Sequence, residues 1–377
     1  MIEAVGYQVP RDNVERIFPD DVAKSEMSWY ESGFICGLIK KYEPKKILEL
    51  GVAAGVSSAI IIECLENLAI DATLYSVDIA DAYYRDGKQK TGYFLDLYTK
   101  QKTLKHTKHI KKIPVDIESC IEEIGSDIDF VILDTCHQLP GECMDFLVVL
   151  PFLANNAIVC LHDIALNQYS PIKQAVATNV LFHTVKANKI FSFLPSLPEH
   201  LSLYPNVAAF QIKRETMENI IDVFLALTLS WNYLPDWDYI ARCRALFRRF
   251  YGVNECKIFD EAVLMNFISY YPVIKTIPLG TKLAVYGTGN LGKYFSKCIN
   301  MSFGIIRNIK ITVFFDKNWS NIEAQDGIEV VSPEEITGRE FDAIVIAIAD
   351  LQEVERIYSA LAKHISADRI LALKHVC

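Results

Sequence analysis

Ten cysteines occur in the chain, yet no two are spaced as Cys-x-x-Cys, which removes zinc ribbons and thioredoxin-type redox chemistry. Cys36, Cys64 and Cys160 lie inside apolar segments, where cysteine acts as a small hydrophobe, so a reduced, cytoplasmic protein is expected. Residues 1–20 hold no basic start followed by an apolar run, and no secretory signal is expected there. Long hydrophobic runs are also missing. The longest, residues 223–231, is broken by Thr228 and Ser230 and falls well short of the ~20 residues that span a bilayer, so no membrane partner is expected. Only 17 glycines and 14 prolines are present, too few for a fibrous or low-complexity chain. Positive charge is in deficit, with 38 Lys and Arg against 47 Asp and Glu and a net charge of −9. Such a chain repels a phosphate backbone, and nucleic acid is not an expected partner. The basic clusters 105–112 and 242–249 read as solvated helix or loop faces.

What remains is a globular composition, 51% apolar and 23% charged. At roughly 150 residues per domain, 377 residues suggest two or three domains. Two segments share one plan: a lysine-led apolar strand, a glycine-containing turn, then a helix. The first runs Lys46-Ile-Leu-Glu-Leu-Gly51 into Val-Ala-Ala-Gly55, with a helix over 57–67. The second runs Lys282-Leu-Ala-Val-Tyr-Gly287 into Thr-Gly-Asn-Leu-Gly292, with a helix over 293–300. Each opens a strand–helix alternation of the doubly wound, parallel kind.

In the first unit, residues 73–77, 130–133 and 157–161 read as further strands. Residues 182–185 and 207–212 read as a closing antiparallel pair, and 28–41 as an amphipathic helix stopped by Pro44. Residues 216–280 are helical in period and aromatic. The expected organisation is therefore a first α/β domain at 1–215, a connector of about three helices at 216–280, and a smaller α/β domain at 281–377. In the last, strands are expected at 310–315, 343–348 and 369–373, with a helix at 352–364.

Glu49, Gly51, Ala53, Gly55 and Ser57 stand where the first strand hands over to a helix. Glycines there permit tight turns and close approach of a ligand to a helix N-terminus. Asp78, at the end of the second strand, is placed to accept hydrogen bonds from ribose hydroxyls. Asp116 follows the basic stretch where a base pocket would lie.

Glu-x-Gly-x-x-x-Gly-x-Ser after the first strand, Val-Asp after the second, and Asp-Phe-Val-Ile-Leu-Asp134 after the fourth resemble class I S-adenosylmethionine-dependent methyltransferases. The likeness is strongest to small-molecule O-methyltransferases and covers residues 25–215. It implies a Rossmann-like methyltransferase sheet with S-adenosylmethionine as cofactor. Glu49, Gly51 and Gly55 would then cradle the methionine end, Asp78 the ribose, and Asp116 with Ile117 the adenine. Ala53, Ser57 and Ile79 complete the cofactor-binding positions. Ala53 stands where many relatives have glycine, and a dinucleotide would need the tighter Gly-x-Gly-x-x-Gly turn.

Asp134-Thr-Cys-His137 and Leu161-His162-Asp163 end neighbouring strands, at the edge where open α/β sheets bind ligands. Two carboxylates and two imidazoles there could hold a divalent ion or act as acid and base. In the resembled group, Asp134 and Asp163 match positions that coordinate Mg²⁺, and His162 stands where an acid or amide is common. Asp134, His137 and His162 are the catalytic candidates, and Asp134, His162 and Asp163 the metal candidates.

Gly287, Gly289 and Gly292 form a full Gly-x-Gly-x-x-Gly, with Asp316 at the end of the next strand. On spacing alone this is a second nucleotide site. The unit also resembles the small Rossmann-like domain of certain sugar C-methyltransferases, through Asp316-Lys-Asn and Val331-Ser-Pro-Glu-Glu. The expected activity is methyl transfer to a small hydroxylated acceptor, a sugar or natural-product intermediate, with Mg²⁺ assistance and self-association left open. The alternatives are an oxidoreductase that uses the C-terminal glycine turn on a nucleotide or nucleotide-sugar, or a non-catalytic binding protein. Acceptor contacts are expected from the segments 83–98, 167–172 and 231–239.

Overall fold

Apolar, β-branched runs flanked by helices build parallel sheets buried on both faces, and two such sheets form here. The computed structural model describes residues 27–169, 173–191, 206–235, 237–270, 277–300, 308–348 and 350–373. Residues 1–20, read as lacking a signal, and residues 170–172 and 236 of the acceptor segments lie outside these. The chain divides into two compact units, with the boundary between Ala262 and Val263.

The first unit opens with α1 (Trp29–Tyr42), β1 (Lys46–Leu50), α2 (Val56–Leu68) and β2 (Ala72–Val77). Next come α3 (Tyr93–Gln101), β3 (Thr107–Lys112), α4 (Ile117–Ile124), β4 (Ile128–Leu133), α5 (Gly141–Val149) and β5 (Leu153–Leu161). It closes with α6 (Leu166–Tyr169), α7 (Ala177–Thr184), β6 (Asn188–Phe191), β7 (Ala208–Gln211), α8 (Arg214–Glu218), α9 (Ile221–Ala226) and α10 (Trp237–Phe250). The helix α11 (Val253–Tyr270) contains the boundary. The seven strands lie in the order β3-β2-β1-β4-β5-β7-β6. All pair in parallel except β7, which is antiparallel to both β5 and β6.

A capping box starts α1: Ser28 Oγ accepts from Glu31 N, and Glu31 Oε2 accepts from Ser28 N at 2.6 Å. Two readings need correction. The basic stretch 105–112 is no helix or loop face; most of it is β3, the sheet's edge strand, whose charges keep the edge soluble. Residues 182–184 of the strand expected at 182–185 belong instead to α7, with Val185 as its C-cap, and the edge strand that pairs with β7 is 188–191. Ala177, Thr178, Leu181 and Phe182 are the buried residues of α7, a helical spacing. Short apolar runs do not separate the two structures without that wider period.

The basic residues of α10 are paired. Arg242 bridges Asp116 and Glu118, Arg249 meets Glu122, and Arg244 and Arg248 meet Asp260.

In the second unit, β8 (Lys282–Tyr286), α12 (Asn290–Asn300) and β9 (Lys310–Phe315) precede a small hairpin, β10 (Ala324–Gln325) with β11 (Ile328–Val331). After them come β12 (Ala343–Ile346), α13 (Leu351–Leu361) and β13 (Ile370–Ala372). The sheet order is β10-β11-β9-β8-β12-β13, parallel apart from the hairpin. Its core comprises residues such as Phe315, Ile344 and Ile357. Among the described residues, no helix is long and apolar enough to cross a membrane.

Candidate active site

Strands β2, β1, β4 and β5 end in step, and their ladders continue one residue further. Gly51 N donates to Val77 O, Asp134 N to Leu50 O, and His162 N to Leu133 O, at 3.0, 2.9 and 3.1 Å. Asp78, Gly51, Asp134 and His162 therefore follow one another along the carboxyl edge of the sheet.

The turn after β1 is shaped by its glycines. Gly51 has φ +89°, and a Cβ there would lie 1.8 Å from the Asp134 carbonyl oxygen. Gly55 also has φ +89°, and its Cβ would lie 2.6 Å from Leu95 Cβ. Ala53 takes the left-handed conformation between them, with φ 49°. Asp78 holds the turn: its Oδ2 accepts from Val52 N at 2.8 Å and Ala53 N at 3.1 Å, while Oδ1 accepts from Ala80 N at 2.8 Å. Ile79 beside it is 70% exposed, an apolar face turned to solvent at the edge of the turn.

Glu49 lies beneath the turn, 1% exposed. Ser57 Oγ donates to its Oε1 at 2.7 Å, and Ser58 and Ser76 donate to its Oε2 at 2.5 and 2.9 Å. Burial pushes this carboxyl up to about 7 against those three hydroxyls. Glu49 and Ser57 thus brace the turn from below. Asp116 occupies the N-cap position of α4, followed by the buried Ile117. Val115 N donates to Asp78 O at 2.9 Å, which sets Asp116 close to Asp78.

On the far side of Gly51, the four residues expected to converge do so. His162 Nδ1 lies 3.1 Å from Asp134 Oδ1 and 3.6 Å from Asp163 Oδ1. His137 Nε2 lies 3.2 Å from Asp163 Oδ2 and 3.7 Å from Asp134 Oδ1. Both His137 (φ 60°) and Asp163 (φ 56°) hold the left-handed conformation, a strain that turns their side chains to this floor.

Three further residues complete it. Glu142, fully buried at the start of α5, accepts from His137 N at 2.6 Å and faces His137 Nδ1 at 3.2 Å. Glu31 Oε1 lies 3.5 Å from His162 Nε2. Asn206 Nδ2 donates to Asp163 Oδ1 at 2.7 Å and to Glu31 Oε1 at 2.8 Å. The sequence carried a signal for Glu142, five residues after His137. Glu31 was hidden by its capping-box role, and Asn206 had no local signal.

Burial works against an imidazolium at His137, but Glu142, Asp134 and Asp163 together raise it to about 9. His162 is likewise opposed by burial and raised well above its ordinary value by Asp134, Glu31 and Asp163. Burial pushes Glu31 up, yet its bonds to His162, Ser28 and Asn206 hold it at about 2.

Asp134, His162 and Asp163 offer ligand atoms that all lie within 4.8 Å of one another, and this donor set fits a divalent cation. Its imidazole suits Mn²⁺ or Zn²⁺ better than Mg²⁺, which favours oxygen.

In the second unit the glycine turn has a parallel construction. Gly287 N donates to Phe315 O at 2.8 Å, and Asp316 Oδ2 accepts from Thr288 N and Oγ1 at 2.8 and 2.6 Å. A Cβ on Gly292 would lie 2.0 Å from Gly287 O, whereas one on Gly289 would meet nothing within 4 Å.

Residues 48–164, the stretch that carries the glycine turn, Asp78 and the Asp134–Asp163 floor, match the family described as Methyltransferase domain. The N-terminal unit carries a methyltransferase domain. Residues 279–371 match a second family, described as C2185-like, N-terminal. No curated protein matches the chain. Similar solved structures include a methyltransferase from Podospora anserina bound to S-adenosylhomocysteine, at 15% identity and TM-score 0.38, covering 54% of this chain and 85% of that one. The O-methyltransferase TomG from Streptomyces achromogenes, involved in tomaymycin synthesis and in complex with S-adenosylmethionine, matches at 15% identity and TM-score 0.36, covering 53% and 86%. An O-methyltransferase from Bacillus cereus in complex with S-adenosylhomocysteine matches at 12% identity and TM-score 0.38, covering 53% and 91%.

Proposed function

We propose that the methyltransferase domain moves a methyl group from S-adenosylmethionine to a hydroxyl of a small acceptor, a sugar or natural-product intermediate. One observation carries this reading. A glycine turn tied to an acid and a floor of two imidazoles and two carboxylates stand side by side on one sheet edge.

Bound S-adenosylmethionine supplies a methyl group on a sulfonium, which leaves as a neutral thioether and needs no protonation. The turn 51–55 and the amides that open α2 bind the methionine end, with Glu49 and Ser57 bracing them. Asp78 takes the ribose hydroxyls, Ile79 packs on the base, and Asp116 with Ile117 meets the base edge.

His137 is the group that receives the acceptor's proton. Its Nε2 faces Asp134 and Asp163, while Glu142 holds the opposite nitrogen and fixes the ring. A base raised to about 9 acts from its neutral fraction. Asp134, His162 and Asp163 would hold a divalent cation, and such an ion lowers the pKa of an acceptor hydroxyl. The sugar among the proposed acceptors rests on the resemblance read from Asp316-Lys-Asn and Val331-Ser-Pro-Glu-Glu alone.

Calorimetry with S-adenosylhomocysteine, with and without Mg²⁺ or Mn²⁺, tests the reading. Micromolar binding to the intact chain is expected. No heat at millimolar ligand overturns it.

A further inference from the structure

Between β2 and α3 the chain folds back on itself over residues 81–91. Ala82 bridges Lys90 in the antiparallel sense, while Tyr83 N donates to Gln89 O and Thr91 N to Asp81 O, each at 2.9 Å. Asp86 sets the bend, its Oδ1 accepting from Lys88 N at 2.9 Å and from Gln89 N at 3.1 Å. The base of this hairpin is tied to the glycine turn after β1. Gly92 N donates to Ala53 O at 2.7 Å, and Phe94 N to Ala54 O at 3.0 Å. Tyr83 roots the hairpin in the core, 5% exposed and with its ring 5.7 Å from that of Tyr93.

Tyr84, one residue on, emerges instead and is 67% exposed. Its hydroxyl oxygen accepts from Arg85 Nε at 3.3 Å, and the guanidinium carbon lies 5.8 Å from the ring centroid. With a lone pair taken by Arg85, the phenolic proton is left to donate. Partial burial, then Tyr83, Asp134 and Asp163, push this phenol up to about 12, so it keeps its proton and stands within electrostatic reach of the floor. Residues 84–90 hold three cations against one acid, in a chain of net charge −9. The floor, by contrast, gathers the carboxylates of Glu31, Asp134, Glu142 and Asp163. An anion is therefore repelled at the floor and attracted at the hairpin.

We propose that Tyr84 and Arg85 determine which acceptor is methylated, by binding an oxyanion, phosphoryl or carboxylate, that the acceptor carries apart from its reacting hydroxyl. The inference rests on the methyl-transfer reading above. Tyr84 donates one hydrogen bond to the oxyanion, and the guanidinium adds charge-assisted ones. The opposed charges of hairpin and floor then orient the acceptor, its anion at the hairpin and its hydroxyl towards His137 Nε2.

The test is calorimetry on the intact chain saturated with S-adenosylhomocysteine, titrated with glucose 1-phosphate, glucuronate and glucose. At least one anionic probe should bind at least about tenfold more tightly than glucose, and which one does so tells phosphoryl from carboxylate. Tyr84→Phe keeps the ring and removes only the donor; Arg85→Gln removes the charge. Each should cut that preference roughly five- to tenfold, while S-adenosylhomocysteine affinity stays within a few-fold. Arg214→Gln removes the same charge from α8, which follows β7 at the opposite edge of the sheet, and should change neither.

A chain that binds all three probes alike, or none of them, overturns the inference, as does a preference unaltered in either hairpin variant. A chain that does not bind S-adenosylhomocysteine overturns the methyl-transfer reading itself, and the two failures are therefore distinguishable.

Discussion

Glu49 offers a quantitative test of how the glycine turn after β1 is held. Its carboxyl is raised to about 7 chiefly because burial removes water from the charged form, and the serine hydroxyls only partly offset that. In the unfolded chain the group returns to 4.5, the value from which the shift is measured. The folded state therefore binds the extra proton, and stability falls as pH rises from 4.5 through 7. Linkage between those two values gives a loss of about 2.5 kcal/mol from pH 5 to pH 8. Glu49→Gln is the informative variant. An amide resembles the protonated acid, with one accepting oxygen and a donor that a serine hydroxyl can take, but it cannot ionise. Urea unfolding of wild type and variant at pH 5, 6, 7 and 8 should show a difference that widens in the variant's favour by about 2–3 kcal/mol. Buried groups shared by both proteins, such as Asp145, cancel in that difference. Parallel stability curves would refute the argument, because they would mean that Glu49 has the same proton affinity folded and unfolded.

Other predictions follow from the same geometry. Asp78→Ala removes the acceptor for two turn amides as well as the proposed ribose partner, and S-adenosylhomocysteine affinity by calorimetry should fall roughly 10- to 100-fold. His137→Ala should lower kcat by about 10²- to 10⁴-fold in a methyl-transfer assay while ligand affinity stays within a few-fold; unchanged turnover would remove His137 as the base. His162→Ala should abolish Mn²⁺ binding measured by electron paramagnetic resonance, and Glu31→Gln, which acts through that ring, should weaken it roughly tenfold. In the second unit, Gly292→Ala drives a Cβ to 2.0 Å from Gly287 O, so thermal unfolding should move down by several degrees. Gly289→Ala, which meets nothing, should leave that transition in place.

Much of the fold could be read along the chain because its strands are short apolar runs that stop at a glycine or an acid. Lys46–Leu50, Ile128–Leu133 and Lys282–Tyr286 are such runs, and each ends where a turn residue stands. Strand β3 escaped because Thr107–Lys112 sits at the sheet's edge and carries three lysines and a histidine, so it has no apolar signature. The exchange of 182–185 for 188–191 has a different cause. Leu181 and Phe182 are apolar enough for either structure, and only their pairing with Ala177 and Thr178 on one buried face of α7 decides for a helix. Glu31, Asn206 and Arg242 escaped for a third reason. Their chemistry depends on partners 126 residues away for Arg242 with Asp116, and 175 for Asn206 with Glu31, separations over which local pattern is silent.

A single device explains why the candidate residues were nonetheless found in the right order. In a parallel sheet whose strands end in step, the first residue past each strand still bonds to the last residue of its neighbour. Gly51 reaches Val77, Asp134 reaches Leu50, and His162 reaches Leu133. The second unit repeats the arrangement, with Gly287 on Phe315, Asp316 on Val331 and Ala347 on Tyr286. Position in the sequence, one residue beyond an apolar run, is thereby converted into position along an edge. The backbone ladder does this without help from side chains, which is why the edge residues are legible. The groups that tune them, Glu31 and Asn206 at His162 and Asp163, and Arg242 at Asp116, arrive by packing of later or earlier elements. Substitutions of the first kind should therefore weaken binding or turnover by about tenfold or more, while those of the second kind should change metal affinity and leave the fold of the edge intact.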